Sequence, residues 1–234
     1  MNPAAARAFG VIRRPRATFT SIARAPAWAP VLIATTAVTF LCSIAFLRTD
    51  VGRQALLDQW ERTATAFGGT VDDAGYARME ETADQPAVQW MYAAAVALAN
   101  GPALAVAVSG LLFLAMKPRG VRPSYGQVLA VVSYAGIILA LRQVIATPVD
   151  YVRESIASPT TLVQFFGMLD EASPLARFLG VIDLFIVWWI VVLAIGVSVL
   201  YQRPTRRLAL AFTGAYVALA LLAALAMAVS GGTA

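Results

Sequence analysis

Histidine is absent from this 234-residue chain, and cysteine occurs once, as Cys42. Without imidazole or paired thiols, zinc, haem and Cys-His nucleophile sites lack their usual ligands, and an intrachain disulfide is excluded. Charge of either sign is sparse, at 13% of residues, where a soluble domain carries about 25%. Acid is also confined. Eight of the thirteen carboxylates lie between Asp50 and Asp84, four between Asp150 and Glu171, and the last, Asp183, sits in an apolar run. Residues 1–49, 85–149 and 184–234 hold no Asp or Glu, yet carry thirteen of the eighteen basic residues.

What is present is apolar: 59% of residues are hydrophobic and the mean hydropathy is +0.71. Together with runs of about 20 apolar residues, this predicts an all-α integral membrane protein with five transmembrane helices. The spans are expected at about 30–47, 88–116, 127–147, 178–201 and 208–229, with Pro148 stopping the third. They form one membrane domain over residues 30–229, preceded by a basic segment (1–29) and followed by a short tail (230–234). Arg7, Arg13, Arg14, Arg16 and Arg24 leave no early apolar core, so no cleavable signal peptide is expected.

The basic residues decide direction. The N-terminal segment and the 2–3 and 4–5 loops hold eleven Lys and Arg and no acid, whereas the 1–2 and 3–4 loops hold six beside twelve carboxylates. The positive-inside rule then puts the N-terminus in the cytoplasm and the C-terminus on the extracytoplasmic side. The basic pI of about 9.8 is assigned to topology, and no nucleic-acid partner is expected.

Short helices are expected outside the lipid. Pro15 to Ile22, with Pro at a first helical position and Phe19 and Ile22 one turn apart, reads either as an interfacial helix on anionic lipid or as a basic tail that only sets orientation. Leu56, Trp60, Ala64 and Phe67, then a break at Gly68-Gly69 and a stretch from Asp73 to Gln85, read as a two-helix hairpin in the 1–2 loop. Ser158-Pro159 would open a helix in the 3–4 loop whose apolar face is Leu162, Phe165, Phe166 and Leu169. That face needs the outer leaflet, the hairpin or another protein as its partner.

Two charges fall within the expected spans, Arg142 and Asp183. Counted along their helices they lie level, roughly 7–8 Å inside the outer boundary. A lone charge at mid-bilayer costs about 2.5–3.5 kcal/mol on insertion scales, so an Arg142–Asp183 ion pair, assisted by Gln143, is the expected arrangement. It is either a bridge that registers spans 3 and 4 or part of an ion or proton path. Asn100-Gly101-Pro102, near the middle of span 2, should kink or break that helix, because proline removes a backbone donor and strains the preceding turn. Such a break is either a simple kink or a ligand site of the kind that discontinuous helices make in transporters. No serine-nucleophile motif, phosphate loop or metal-ligand spacing is present, and Asp72-Asp73 and Glu80-Glu81 read as solvated faces.

Three segments carry a family likeness: Pro15 through Ile22 with Pro26, Trp28 and Pro30; Pro123-Ser124-Tyr125-Gly126-Gln127-Val128 with Ser133-Tyr134; and Ile182-Asp183-Leu184-Phe185-Ile186-Val187-Trp188 with Leu193, Gly196 and Ser198. Over about residues 10–225 the chain resembles the Yip1-domain family of Ypt-interacting membrane proteins, particularly its bacterial members. The resemblance implies an all-helical membrane domain with a cytoplasmic N-terminus. Eukaryotic relatives look like trafficking factors that associate with Rab-type GTPases, a role not expected to transfer to a bacterium. Seventeen arginines against one lysine, with heavy alanine use, suggest a GC-rich bacterial genome.

The functional expectation is therefore a non-enzymatic scaffold or accessory subunit of a bacterial inner membrane, in contact with lipids and with other membrane proteins or its own copies, and without a cofactor. The alternative is a small transporter or channel built on span 2 and the Arg142–Asp183 pair. Asp183, Tyr125 and Trp188 are matching family positions rather than catalytic ones.

Overall fold

The computed structural model describes residues 3–66, 69–116, 122–153, 160–165, 175, 179–180 and 182–230. Its named helices are α1 (Pro3–Arg13), α2 (Pro15–Arg24), α3 (Ala29–Leu47), α4 (Asp50–Ala66), α5 (Asp73–Asp84), α6 (Pro86–Leu98), α7 (Leu104–Ala115), α8 (Tyr125–Ala135), α9 (Ile137–Arg153), α10 (Leu184–Tyr201) and α11 (Thr205–Ser230). A π turn over Ala99–Ala103 joins α6 to α7. Five stretches are long and apolar enough to cross a membrane: Ala29–Leu47, Pro86–Ala115, Tyr125–Val152, Leu184–Tyr201 and Thr205–Leu222. These are spans 1 to 5 below.

Local chemistry sets most boundaries. Pro15 and Pro86 open α2 and α6, where a missing N–H costs nothing because the first turn has no acceptor for it. Span 3 starts from a capping box: Ser124 Oγ accepts from the Gln127 N–H, and Gln127 Oε1 accepts from the Ser124 N–H. Span 4 ends where Gln202 adopts a left-handed conformation, φ 51°. The turn into span 5 is tied by Ser198 Oγ donating to the Arg203 carbonyl at 2.7 Å and Thr205 Oγ1 donating to Ser198 Oγ at 2.8 Å.

Several expected boundaries move. Span 3 does not stop at Pro148 but runs through it to Arg153, and it tightens locally at Gly136, ψ −14°, between α8 and α9, where Gly136 N–H still reaches the Val132 carbonyl at 2.9 Å. Span 2 is disturbed at Asn100-Gly101-Pro102 as expected, though by a π turn that widens the helix by one residue and leaves it continuous rather than by a break. Span 4 begins at Leu184 rather than near 178, because Asp183 caps the helix in an extended conformation, φ −103° and ψ 129°. Span 5 begins at Thr205, three residues earlier than hydropathy placed it, since Arg206 and Arg207 fit the first helical turn at the membrane edge.

Span 3 is the central helix: 56% of Tyr125–Val152 is buried, against 11% of Thr205–Leu222. Spans 1 and 2 pack side by side, span 3 touches spans 1, 2 and 4, and span 5 leans on span 4. The hairpin α4–α5 sits over one end of spans 1 and 2, where Leu56, Leu57 and Ala83 join Ile44, Leu47 and Ala93 in a small core. It is fastened by Gln54 Nε2 donating to the Tyr76 hydroxyl at 2.9 Å and the Tyr92 hydroxyl donating to Gln59 Oε1 at 3.2 Å. Arg53 pairs with both Asp50 and Asp84.

The N-terminal segment is neither a helix afloat on lipid nor a loose tail. Phe19 and Ile22 of α2 are fully buried in the main core with Val128, Val131, Ala194 and Val197. Gly196 makes this possible: a Cβ there would lie 2.5 Å from Val131 Cγ1 and 3.1 Å from the Phe19 ring. Gln127 Nε2 donates to the Ala23 carbonyl at 2.8 Å, and Arg7 reaches the Ala25 carbonyl at 2.9 Å. In the 3–4 loop, Leu162–Phe165 forms a single 3₁₀ turn. The expected helix start at Ser158-Pro159, and Phe166 and Leu169 of its apolar face, lie outside the described residues.

Candidate functional site: an ion-pair node beside an intramembrane cavity

The structure brings Arg142 and Asp183 into contact, Nε to Oδ2 at 2.7 Å. Asp183 is 2% exposed, so each oxygen needs compensation inside the protein. Oδ2 also accepts from Thr160 Oγ1 at 2.6 Å, and Arg142 Nε reaches the same hydroxyl at 3.4 Å. Oδ1 accepts from the N–H groups of Phe185 (2.8 Å) and Ile186 (3.3 Å), the capping arrangement that starts span 4. The Asp183 N–H donates to the Tyr216 hydroxyl of span 5 at 3.0 Å. A two-residue antiparallel bridge, Thr161 with Asp183, holds the 3–4 loop against the node through Leu162 N to Ile182 O at 2.8 Å and Leu184 N to Thr160 O at 3.0 Å. Through its carboxylate and its backbone N–H, Asp183 thus meets span 3, the 3–4 loop, the start of span 4 and span 5.

Two expectations change here. Asp183 is not inside a span: it stands at the mouth of span 4, while Arg142 lies eleven residues, about 16 Å, below the end of α9. Gln143 does not assist the pair. Its Nε2 points to Thr147 Oγ1 at 3.4 Å, and Thr160 and Tyr216 make the supporting contacts instead. Tyr216 carried a weak signal in the sequence, as a phenol in an Ala- and Leu-rich run whose hydroxyl needs a partner. Thr160 carried none, since loop closure alone brings it to Asp183.

Next to the node, spans 1 to 4 enclose a cavity of about 290 Å³. Asn100, Gly101, Arg142 and Gln143 line it, with Thr35, Ser133 and Trp189. Asn100 Nδ2 donates to the Val96 carbonyl at 3.0 Å, one turn back on its own helix. Gly101 lets span 1 approach: a Cβ there would fall 2.4 Å from Thr36 Oγ1. The tightened turn at Gly136 faces the same cavity. Two irregular turns, one in span 2 and one in span 3, therefore meet at one place, and only the first was legible as a Gly-Pro pair. A second cavity of about 200 Å³ shares Asn100, Arg142 and Gln143 and extends to Gln59 of the hairpin and Asp150.

The remaining candidates stand apart. Pro102 lines an apolar groove between spans 1 and 2. Tyr125 donates to the Val106 carbonyl at 3.4 Å and stacks edge-on against Phe113, with centroids 5.8 Å apart. Trp188 packs beside Phe185 at 5.9 Å, partly buried against the core. Among the described residues no group of three or more His, Cys, Asp or Glu side chains could hold a metal ion.

The family model of the Yip1 domain matches residues 9–227, nearly the whole chain, from α1 through span 5. The chain belongs to the Yip1-domain family. No curated protein and no solved structure matches it. As a Yip1-domain protein with five apolar helices it is a multi-pass membrane protein. The matched region includes α2, whose burial beneath spans 3 and 4 makes it part of the Yip1 domain rather than a leader to it.

Proposed function

We propose that this Yip1-domain protein is a non-enzymatic scaffold or accessory subunit of a bacterial cytoplasmic membrane that binds another membrane protein or a second copy of itself. The N-terminus is cytoplasmic and the C-terminus extracytoplasmic, a reading supported by the eleven basic residues and no acid in the N-terminal segment and the 2–3 and 4–5 loops. The observation that carries the scaffold reading is span 5. Among the described residues it leans mainly on span 4, and it exposes Ala211, Gly214, Ala215 and Ala218, two small-residue pairs at four-residue spacing. Lipid gains nothing from small side chains, whereas a second helix packs closely against them. A Cβ added at Gly214 would meet no described atom within 4 Å, so this face is open for such an approach.

Cysteine cross-linking tests this. With Cys42 replaced by Ser, Gly214→Cys and Ala218→Cys should give a specific cross-linked species in native membranes, while Ala209→Cys, on the face packed against the core, should not. A monomer at every position, with no stoichiometric partner in mild detergent, overturns the reading.

A second reading, passage of a small solute, draws on the cavity where the two irregular turns meet. Solute flux in proteoliposomes that is abolished by Asp183→Asn would favour it over the scaffold.

A further inference from the structure

The groove between α1 and α2 is lined by Arg7, Arg13 and Arg14, together with Phe9 and Ser21. No acid answers these charges. Residues 1–49 contain no Asp or Glu, and among the described residues no carboxylate pairs with any of the three arginines. Two of the guanidinium groups are nevertheless held in place: Arg7 donates to the Ala25 carbonyl at 2.9 Å, and that of Arg13 lies over the Phe9 ring, 4.4 Å from its centroid. We propose that this groove binds the headgroup of an anionic phospholipid, whose phosphate meets the Arg13 guanidinium while Arg7 and Arg14 supply positive walls. This site goes beyond the scaffold reading and does not depend on it.

The groove is built by packing. Gly10 lets α1 and α2 approach, since a Cβ there would lie 2.5 Å from Thr18 Oγ1, and Val11, fully buried, anchors α1 in the main core. Stacking on Phe9 occupies one face of the Arg13 guanidinium and leaves its N–H edge to donate. Parallel donors on such a planar fork match two oxygens of a phosphate. Because the ring already restrains the side chain, less freedom is lost when the anion binds. Ser21 is exposed on the α2 wall, and its hydroxyl is a further donor. The volume, about 480 Å³, falls within the roughly 300–1,000 Å³ of ligand pockets.

The position of the groove selects a lipid. Gln127, in the first turn of span 3, holds the Ala23 carbonyl, and Phe19 meets Gly196, five residues before span 4 ends at Tyr201. At about 1.5 Å per residue that contact lies about 8 Å inside the end of span 4, so the α1–α2 pair sits where headgroups meet hydrocarbon. Here α1 exposes Phe9 (53%) and Ile12 (39%), and Trp28 is exposed just ahead of span 1. Acyl chains cover such surface, whereas an acidic protein segment would meet the arginines and leave it bare. A net-negative headgroup is preferred to a zwitterionic one, because a choline ammonium would face the same arginines.

Native mass spectrometry of the full chain in detergent, titrated with dioleoyl phosphatidylglycerol or dioleoyl phosphatidylcholine, tests the proposal. One saturable phosphatidylglycerol adduct is expected, at least about fivefold tighter than that of phosphatidylcholine. Arg13→Gln should weaken it about tenfold or more, the effect of a lost charge-assisted hydrogen bond, and Arg14→Gln about fivefold. Arg16→Gln and Arg24→Gln remove the same charge from the same segment outside the groove, and should change binding by less than about twofold because exposed charges at a distance are screened. All four side chains are exposed, so these substitutions leave the packing intact. Excess inorganic phosphate should not displace the lipid. Equal weakening by all four substitutions would reduce the site to diffuse surface charge. Equal affinity for the two lipids would leave the groove to an acidic protein segment, and displacement by inorganic phosphate would give it to a soluble compound. Each of these results, like the absence of a saturable adduct or one indifferent to Arg13→Gln, overturns the proposal.

Discussion

Asp183 shows how far a single residue could be read from sequence. Its exclusion from the acid-rich loops marked it as the carboxylate that lipid would penalise, and Arg142 as its only basic neighbour at that depth. The pairing followed from electrostatics, but the supporting contacts did not. Thr160 reaches Oδ2 through the folding of a loop, and Tyr216 reaches the Asp183 N–H from a helix 33 residues away. Removing one partner of a buried pair typically costs about 3–5 kcal/mol, because the other charge is left uncompensated. Asp183→Asn and Arg142→Gln should each lower stability in detergent by an amount in that range. The double variant should lose at least about 1 kcal/mol less than the sum of the two; a strictly additive thermal-melt result would mean that the pair does not couple. Tyr216→Phe removes one acceptor from the node and should cost about 1 kcal/mol, measured in the same melts.

At the scale of elements, proline was informative where it starts a helix and, at Pro102, where it disturbs one, and misleading at Pro148. Pro15 and Pro86 mark helix starts as their missing donors require, whereas Pro148 sits within α9 and Pro102 within a π turn. Tertiary packing decides the second kind, and no local pattern contains it. The tightening at Gly136 was illegible for the same reason: a single glycine in an apolar run is compatible with a regular helix. The docking of α2 rests on fit, with Phe19 and Ile22 wedged where Gly196 leaves room. Gly196→Val should overpack this contact and cost about 1–3 kcal/mol. Gln127→Leu should cost less, since it removes the bond to Ala23 and one half of the capping box but keeps the core. Both should speed tryptic cleavage after Arg24 relative to the parent protein. Unchanged cleavage in Gly196→Val would show that α2 is not held by this fit.

The whole molecule was legible wherever lipid sets the rule. The five spans and the helical hairpin follow from hydropathy and acid placement, because an exposed backbone or charge is penalised everywhere in the bilayer. What the spans enclose was not legible, since the cavity needs side chains from four of them at once. Orientation has a direct test. In a Cys42→Ser background, Thr70→Cys in the hairpin should react with an impermeant maleimide in intact cells, and Arg206→Cys should react only after permeabilisation. The reverse pattern would invert the topology. The Ala211 to Ala218 face of span 5 likewise gains meaning only from the finished bundle, whose described residues leave it uncovered.

The bond between Gln127 and Ala23 joins positions 104 residues apart in the chain. A ribosome delivers α2 long before spans 3 and 4, so Phe19 and Ile22 leave it with no surface to meet. They must wait at the membrane while four helices are inserted after them. The first helices to be synthesised are therefore among the last to find their place, and an assembly factor that shields a short apolar wedge during that interval would act on this segment before any other.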